Sequence, residues 1–385
     1  MKKFLEQTAG LRQGGARSGL KLMLIGVFLF GSFVAASNRG VAQPGTAAPG
    51  GYGLKVYKVS SVLYPFVQVY FRTFDQDMQP LVNLNERNIG LMVKGRAYDP
   101  AKRQYVVNSI RQRQEATRSV IVLDASKTMA GRPFEAALKA CANFIDSKRP
   151  QDEVAILAVR NTKEGYETIS GFERDGGALA RRLADVRADG VKSRLYDTIG
   201  AAIQMCGSSS QGALSPSSAT IIVSSCIVVL SDGLDQGSAI TREELNTRIS
   251  NMTIPIPVYS LAYSQVSANH FKNLEAISKN SFGKYYLIAD TYQKMQKVVE
   301  EIQNIIQSDY VLTFRSYLPV DGESHSFKVG VEYPSGSGKY TFEDSRFEAI
   351  ELPKVEPVAD KIKDLLQVLP EVKDANGPYM SKISD

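Results

Sequence analysis

The chain has 385 residues, of which 43% are hydrophobic and 22% charged, and this composition is typical of a globular protein. Its net charge of +6 is unevenly placed, because residues 1–42 carry six basic side chains and a single acidic one. The remaining chain is left at about +1, which is too little for the basic surface that binds nucleic acid. Composition and charge therefore exclude disorder and a nucleic-acid partner.

The N-terminal segment is typical of an export signal. An uncharged, mostly apolar stretch at 22–36 follows the basic start, and the small residues G-V-A at 40–42 fit a cleavage site. Cleavage and retention as an anchor both remain open, since the stretch is close to the shortest length that spans a membrane. Residues 1–42 thus predict an extracytoplasmic protein, in the periplasm, on the cell surface or secreted. Residues 20–36 would provide any membrane association.

The body of the protein begins after a linker rich in Pro and Gly at 43–54. Residues 55–118 alternate apolar and polar side chains with a period of two, and the same period returns at 309–350. Neither segment has enough strands for an independent core, so we expect both to form one β-sandwich. Residues 119–308 would then be a domain inserted into that sandwich.

The inserted segment alternates buried strands with amphipathic helices. This order predicts an α/β fold, a doubly wound, mostly parallel sheet with helices on both faces. A low-complexity stretch at 207–219 interrupts it and is predicted to be a surface loop. The predicted strands are 119–123, 153–159, 166–170 at an edge, 226–231, 256–262 and 285–288, and the predicted helices are 132–147, 175–187, 195–206, 241–251, 269–280 and 291–308.

A C-terminal tail, residues 351–385, contains a short amphipathic helix between Pro357 and Pro370. Its apolar face must be covered, either by the protein's own body or by a groove on a partner.

Three cysteines are too few for a disulfide scaffold, so a hydrophobic core must hold the fold. Cys141 lies on the apolar face of a predicted helix and is expected in the core. Cys206 and Cys226 flank the low-complexity stretch, and they could form a disulfide across it or remain two thiols.

The stretch S-V-I-V-L-D-A-S-K-T at 119–128 is an apolar strand that ends in an acid and two hydroxyls. Asp124, Ser126 and Thr128 would project from the carboxyl end of a parallel strand, where α/β sheets bind ligands. The alternative is a helix cap, for which the same residue types are common. Ser193, before a helix, and Asp232, at the end of another buried strand, favour a site. Oxygen ligands of this kind suit a hard divalent cation such as Mg²⁺.

At these three stretches the chain resembles a von Willebrand factor type A (VWA) domain, over about residues 117–308. The flanking β segments resemble, by pattern, those of bacterial secreted proteins related to this family. The family's metal-ion-dependent adhesion site has a D-x-S-x-S strand end, a distant Thr and a distant Asp. This chain has Thr for the second Ser and Ser for the Thr, and both changes keep a hydroxyl. The resemblance implies that Mg²⁺, or another divalent cation such as Ca²⁺ or Mn²⁺, is bound by Asp124, Ser126, Thr128, Ser193 and Asp232.

In that family the cation leaves one position for an acidic residue of a protein partner. The resemblance therefore implies an adhesive envelope protein. Four basic residues near the motif would favour an acidic partner or are ordinary solvated charges. They are Lys127, Arg132, Lys192 and Arg194.

The competing function is a structural subunit of a membrane-associated complex, in which the metal site is vacant or only stabilising. A chelatase-like accessory subunit is disfavoured by export, because the usual ATPase partners are cytosolic. An enzyme is not expected, since His270 and His325 are the only histidines and no catalytic triad order, phosphate-binding loop or zinc spacing is present.

Overall fold

The computed structural model describes residues 51–113, 115–160, 162–209, 222–252, 255–264, 268–351 and 356–370. The chain divides into two units, 1–41 and 42–385, and all described residues lie in the second. The predicted export segment, most of the predicted linker and most of the low-complexity stretch lie outside the described residues. Within the described part, no helix is long and apolar enough to cross a membrane.

Fourteen strands and seven α-helices make up the described fold. The strands are β1 (Tyr52–Ser60), β2 (Phe66–Asp75), β3 (Ile89–Val93), β4 (Arg96–Ala97), β5 (Tyr105–Ser109), β6 (Ala116–Asp124), β7 (Glu153–Val159), β8 (Tyr166–Glu173), β9 (Ile222–Ser231), β10 (Val258–Tyr263), β11 (Tyr285–Ala289), β12 (Tyr310–Arg315), β13 (Ser324–Glu332) and β14 (Tyr340–Glu348). The helices are α1 (Arg132–Asp146), α2 (Gly176–Ala184), α3 (Leu195–Ser209), α4 (Arg242–Ser250), α5 (Phe271–Asn280), α6 (Lys294–Ile306) and α7 (Glu356–Val368).

The central sheet has six strands in the order β11-β10-β9-β6-β7-β8. All neighbours are parallel except β8, which runs antiparallel to β7 at one edge. Side chains of β6 alternate between two cores, because successive residues of a strand face opposite sides. Ile121 and Leu123 pack with α1, α2 and α6, whereas Val120 and Val122 pack with α3, α4 and α5. Burial on both faces explains why this strand is a continuous apolar run.

Two antiparallel sheets, ordered β1-β2-β12-β5 and β14-β13-β3-β4, share one core that includes Phe71, Leu91, Phe314 and Phe327. The strand β12 pairs with both β2 and β5, and β13 pairs with β3. Each sheet therefore contains strands from both sides of the inserted segment. The predicted fold class, a VWA-like α/β sheet inserted into a sandwich built from the flanking segments, is confirmed.

The C-terminal helix α7 covers part of its own sandwich. Ile362 and Leu369 are buried against Leu63 and Phe66. Of the two alternatives for the apolar face of this helix, docking on the protein's own body is the one observed.

The disulfide considered between Cys206 and Cys226 is absent, and both are buried free thiols, as is Cys141. The side chain of Cys226 belongs to the core on the α1 and α6 side of the sheet. Cys206, on α3, belongs to the core on the other side. The Sγ atom of Cys206 lies 4.0 Å from the carbonyl oxygen of Cys226. The prediction of a bridge is wrong because the strand's alternation points Cys226 away from α3.

Candidate metal centre

Asp124 is the last residue of β6, the strand in the middle of the central sheet, and it is fully buried. Its Oδ1 atom accepts a hydrogen bond from the amide of Ser126 at 3.0 Å. Its Oδ2 atom accepts one from the hydroxyl of Ser231 at 2.7 Å. Both oxygens are thus held in a fixed orientation at the carboxyl edge of the sheet.

The chain turns sharply after Asp124 and brings the two predicted hydroxyls together. Ser126 is buried and Thr128 is exposed, and their side-chain oxygens lie 3.0 Å apart. A short 3₁₀ turn, Lys127–Met129, sets this spacing, and the amide of Met129 donates to the carbonyl of Ser126 at 3.0 Å. Three side chains that alternate along the sequence therefore converge at one place.

The loop before α3 is hydrogen-bonded to this turn through Gly190. The Gly190 carbonyl accepts from the amide of Lys127 at 2.7 Å, and the Gly190 amide donates to the carbonyl of Ala125 at 3.0 Å. A Cβ atom at position 190 would lie 3.0 Å from the Cα of Arg160 and 3.1 Å from the Ala125 oxygen. The close approach of the two segments therefore favours a glycine here, since a larger residue would have to displace backbone atoms.

Ser193, in the same loop, is buried, and its carbonyl accepts from the amide of Gln236 at 2.6 Å. Asp232, immediately after β9, is 8% exposed, and its Oδ1 accepts from the amide of Leu234 at 2.9 Å. Since Gln236 belongs to the segment that follows Asp232, the second and third motif elements are joined. Hydrogen bonds thus connect all three sequence elements that carry the predicted site residues.

Gly233 shapes the turn after Asp232. Its φ of +77° lies in the left-handed region, and a Cβ atom there would be 2.4 Å from the carbonyl oxygen of His270. The side chain of Asn273 donates to the Gly233 carbonyl at 3.1 Å. The start of α5 therefore packs directly beneath this turn and fixes the position of Asp232.

Ionisation of both buried carboxylates is costly. Burial, and then the charge of Asp232, raise the pKa of Asp124 from about 3.8 to about 6. Burial also raises the pKa of Asp232, and the hydrogen bond from the Leu234 amide and then the charge of His270 partly offset that rise. Among the described residues, neither carboxylate forms an ion pair with a Lys or Arg side chain. Two buried acids without a Lys or Arg partner are costly, and a bound cation would remove that cost.

The donor set fits a hard cation. No group of three or more His, Cys, Asp or Glu side chains within the described ranges could hold a metal, so any centre here is completed by hydroxyl oxygens. Carboxylate and hydroxyl oxygens suit Mg²⁺, Mn²⁺ or Ca²⁺ and not a soft metal. Asp124, Ser126, Thr128, Ser193 and Asp232 are the residues that would hold it.

Two functional positions were missed from the sequence. One is Ser231, which orients Asp124. It directly precedes Asp232 in the stretch I-V-V-L-S-D-G, and this position could have indicated it. Gly190 joins the first two elements, and only its position three residues before Ser193 could have indicated it.

Of the four basic residues considered for a rim, Lys127, Arg132 and Lys192 are exposed. Arg194 instead donates to the carbonyls of Gly237 and Lys163.

Several solved structures resemble the chain. One is described as von Willebrand factor type A from Catenulispora acidiphila, with 11% identity, 79% of each chain covered and a TM-score of 0.43. The SpRpn10 VWA domain has 15% identity over 48% of this chain and 93% of its own, with a TM-score of 0.36. The vWF domain of the type V pili tip protein Mfa5 from Porphyromonas gingivalis has 10% identity over 50% of this chain and 96% of its own, with a TM-score of 0.37.

A comparison with curated proteins gave no match. The family model of the von Willebrand factor type A domain matches residues 119–234. This range begins in β6, ends just after Asp232, and so includes all three elements of the candidate centre. The chain therefore carries a von Willebrand factor type A domain.

Proposed function

We propose that this is an exported envelope protein that binds an acidic protein partner through a divalent cation. The observation that carries the proposal is the pair of buried carboxylates, Asp124 and Asp232, which lack a Lys or Arg ion-pair partner among the described residues. A cation would supply the missing positive charge, and it would attract a carboxylate of the partner in a partly dry crevice. The hydrogen bonds from Ser126 and Ser231 hold Asp124 in place for this role.

Export is supported by the basic residues and the apolar stretch before residue 42. A phosphatase reporter that is active only outside the cytoplasm, fused after residue 54, should be active in bacteria. The same fusion without residues 1–42 should be inactive. Activity that does not depend on residues 1–42 would contradict export through this segment.

The metal is tested by thermal unfolding with Mg²⁺ and with chelator. Mg²⁺ at a hundred times its dissociation constant should stabilise the protein by about 2.7 kcal/mol. Asp124→Ala should abolish that gain, because it removes one of the two carboxylates. The matched control is Asp77→Ala, since Asp77 is exposed in a turn of the sandwich and its removal should leave the gain intact.

The partner is tested with the same three proteins, by capture from envelope extract in Mg²⁺ and in chelator. We expect capture that is lost in chelator and in Asp124→Ala, and that is retained in Asp77→Ala. If Asp124→Ala captures the same partner with unchanged affinity, the cation is not the contact. The structural function, a subunit of a membrane-associated complex that packs by its surfaces, would then replace this proposal.

A further inference from the structure

A polar cavity of about 330 Å³ opens beside the candidate metal centre. Four basic side chains line it, and the other lining residues are a threonine and two glycines. These basic residues come from the end of β7, the turn before β8 and the loop before α3, so they are separated along the chain. They are Arg160, Lys163, Lys192 and Arg194.

Contacts with other residues hold the side chains of the two arginines, which form part of the cavity wall. Arg160 forms ion pairs with Glu167 at 3.2 Å and Asp189 at 3.1 Å, so its charge is largely compensated. Arg194 donates to the carbonyl of Gly237 at 2.8 Å and to that of Lys163 at 3.1 Å. Its nearest carboxylate, Asp197, is 3.9 Å away, and that carboxylate accepts hydrogen bonds from two backbone amides.

The two lysines are uncompensated. Lys163 and Lys192 are exposed, and their ammonium groups form no hydrogen bond or ion pair with any described residue. Glu164 is exposed in the same turn but does not line the cavity. Single exposed lysines are ordinary. Here two exposed lysines border one concave site, and other contacts already hold its arginine side chains. The lysines create a local positive potential that favours an anionic group.

The cavity is adjacent to the candidate metal centre through the backbone. Lys192 and Arg194 flank Ser193, and consecutive Cα atoms are about 3.8 Å apart. Arg160 directly follows Val159, which pairs with Asp124 in the sheet. A single short segment of a partner could therefore reach both places, since an extended chain advances about 3.3–3.6 Å per residue.

We propose that this cavity binds a second carboxylate of the acidic partner whose first carboxylate completes the metal centre. The inference rests on the proposed function and narrows it, because the partner must present two acidic residues close together in sequence. Lys163 and Lys192 supply the attraction, and the arginine walls shape the cavity. Partly exposed charge pairs of this kind tighten binding by about five- to tenfold in total. That gain should shrink as salt is added.

The test uses the full-length protein in saturating Mg²⁺ and labelled Gly/Ser peptides. One peptide carries a single Glu, and five others carry two Glu separated by zero to four residues. The protein variants are Lys163→Gln/Lys192→Gln and a control, Lys139→Gln/Lys297→Gln, which changes two exposed lysines on α1 and α6. We expect at least one two-Glu peptide to bind about five- to tenfold more tightly than the one-Glu peptide. Lys163→Gln/Lys192→Gln should erase this difference, and the control should retain it.

Failure of this inference and failure of the proposed function give different results. If Mg²⁺ stabilises the protein through Asp124 but no two-Glu peptide gains affinity, or the gain survives Lys163→Gln/Lys192→Gln, the second-carboxylate site is overturned alone. If the Mg²⁺ gain itself is absent, the proposed function fails. Inorganic phosphate provides a further arm. A lysine-dependent thermal shift with phosphate, without any gain for two-Glu peptides, would identify a small-anion site and overturn the partner proposal.

Discussion

The hydroxyl of Ser231 donates a 2.7 Å hydrogen bond to Oδ2 of Asp124, and this bond joins the carboxyl ends of β9 and β6. The same hydroxyl accepts from the amide of Gly233 at 3.0 Å. One fully buried side chain therefore orients the acid of the first motif element and begins the turn that carries the acid of the third. The geometry of the candidate centre depends on it.

Ser231→Ala should destabilise the protein by about 1–3 kcal/mol, because it leaves a buried carboxylate oxygen and a buried amide without a partner. Urea unfolding in chelator measures the loss. The matched control is Ser250→Ala, at the exposed end of α4, which should change the free energy of unfolding by less than about 0.5 kcal/mol. Equal effects of the two substitutions would contradict a special role for Ser231.

The central sheet was predictable because its strands are buried on both faces, so that Val120 to Leu123 form an unbroken apolar run. The start of β9 was less predictable. Ser224 and Ser225 are half-buried strand residues, but their polarity resembles that of the preceding low-complexity stretch. The sequence therefore predicted β9 to begin at Cys226, four residues later than the structure has it.

The motif residues of the site were predictable for a different reason. Asp124 and Asp232 end buried strands, and a parallel sheet brings such ends to one edge. The basic cavity was not predictable, because Arg160 and Lys163 come close to Lys192 only through the hydrogen bonds of Gly190 and the packing of Arg194 against Gly165. No periodicity or spacing in the sequence encodes that contact.

Alkylation of the unfolded, unreduced protein should label all three cysteines. In the native protein labelling should be slow, because burial raises the pKa of Cys141 and of Cys226 to about 12 and keeps the thiols protonated. Mass spectrometry counts the adducts, and a reduced sample is the control. A single adduct without reductant, and three after reduction, would instead establish the bridge between Cys206 and Cys226.

A buried ion pair of the sandwich also contacts the inserted domain. Arg72 on β2 donates to both oxygens of Asp309 at 2.7 and 2.8 Å, and its third nitrogen donates to the hydroxyl of Tyr259 on β10 at 2.8 Å. Asp309→Asn should cost about 3–5 kcal/mol, because it leaves a largely buried guanidinium without its counter-charge. Chemical denaturation measures this loss.

An exposed ion pair of the sandwich provides the control. Lys328 and Asp344 lie 3.5 Å apart with 52% and 74% of their side chains exposed. Asp344→Asn should therefore change stability by less than about 1 kcal/mol. If Asp309→Asn were equally mild, the buried Arg72–Asp309 pair would contribute little to stability.

In the absence of metal, the stability of the protein should depend on pH through Asp124. The pKa of Asp124 is raised in the folded protein from about 3.8 to about 6, so the folded state holds this proton more tightly than the unfolded state does. The corresponding stability is fully present below about pH 3.8 and is lost as pH rises through about 6. The shift corresponds to a loss of about 3 kcal/mol at most.

Asp124→Asn isolates this contribution, because it resembles the protonated acid and does not titrate. In chelator, the free energies of unfolding of the two proteins should be similar near pH 4 and should diverge above pH 6, with Asp124→Asn the more stable. Other titrating groups affect both proteins and largely cancel in the difference. Mg²⁺ should restore the stability of the unsubstituted protein at pH 7.5, because the cation competes with the proton for the same carboxylate, and should do little for Asp124→Asn. If the two pH profiles in chelator were parallel, burial and the charge of Asp232 would not make the ionisation of Asp124 costly.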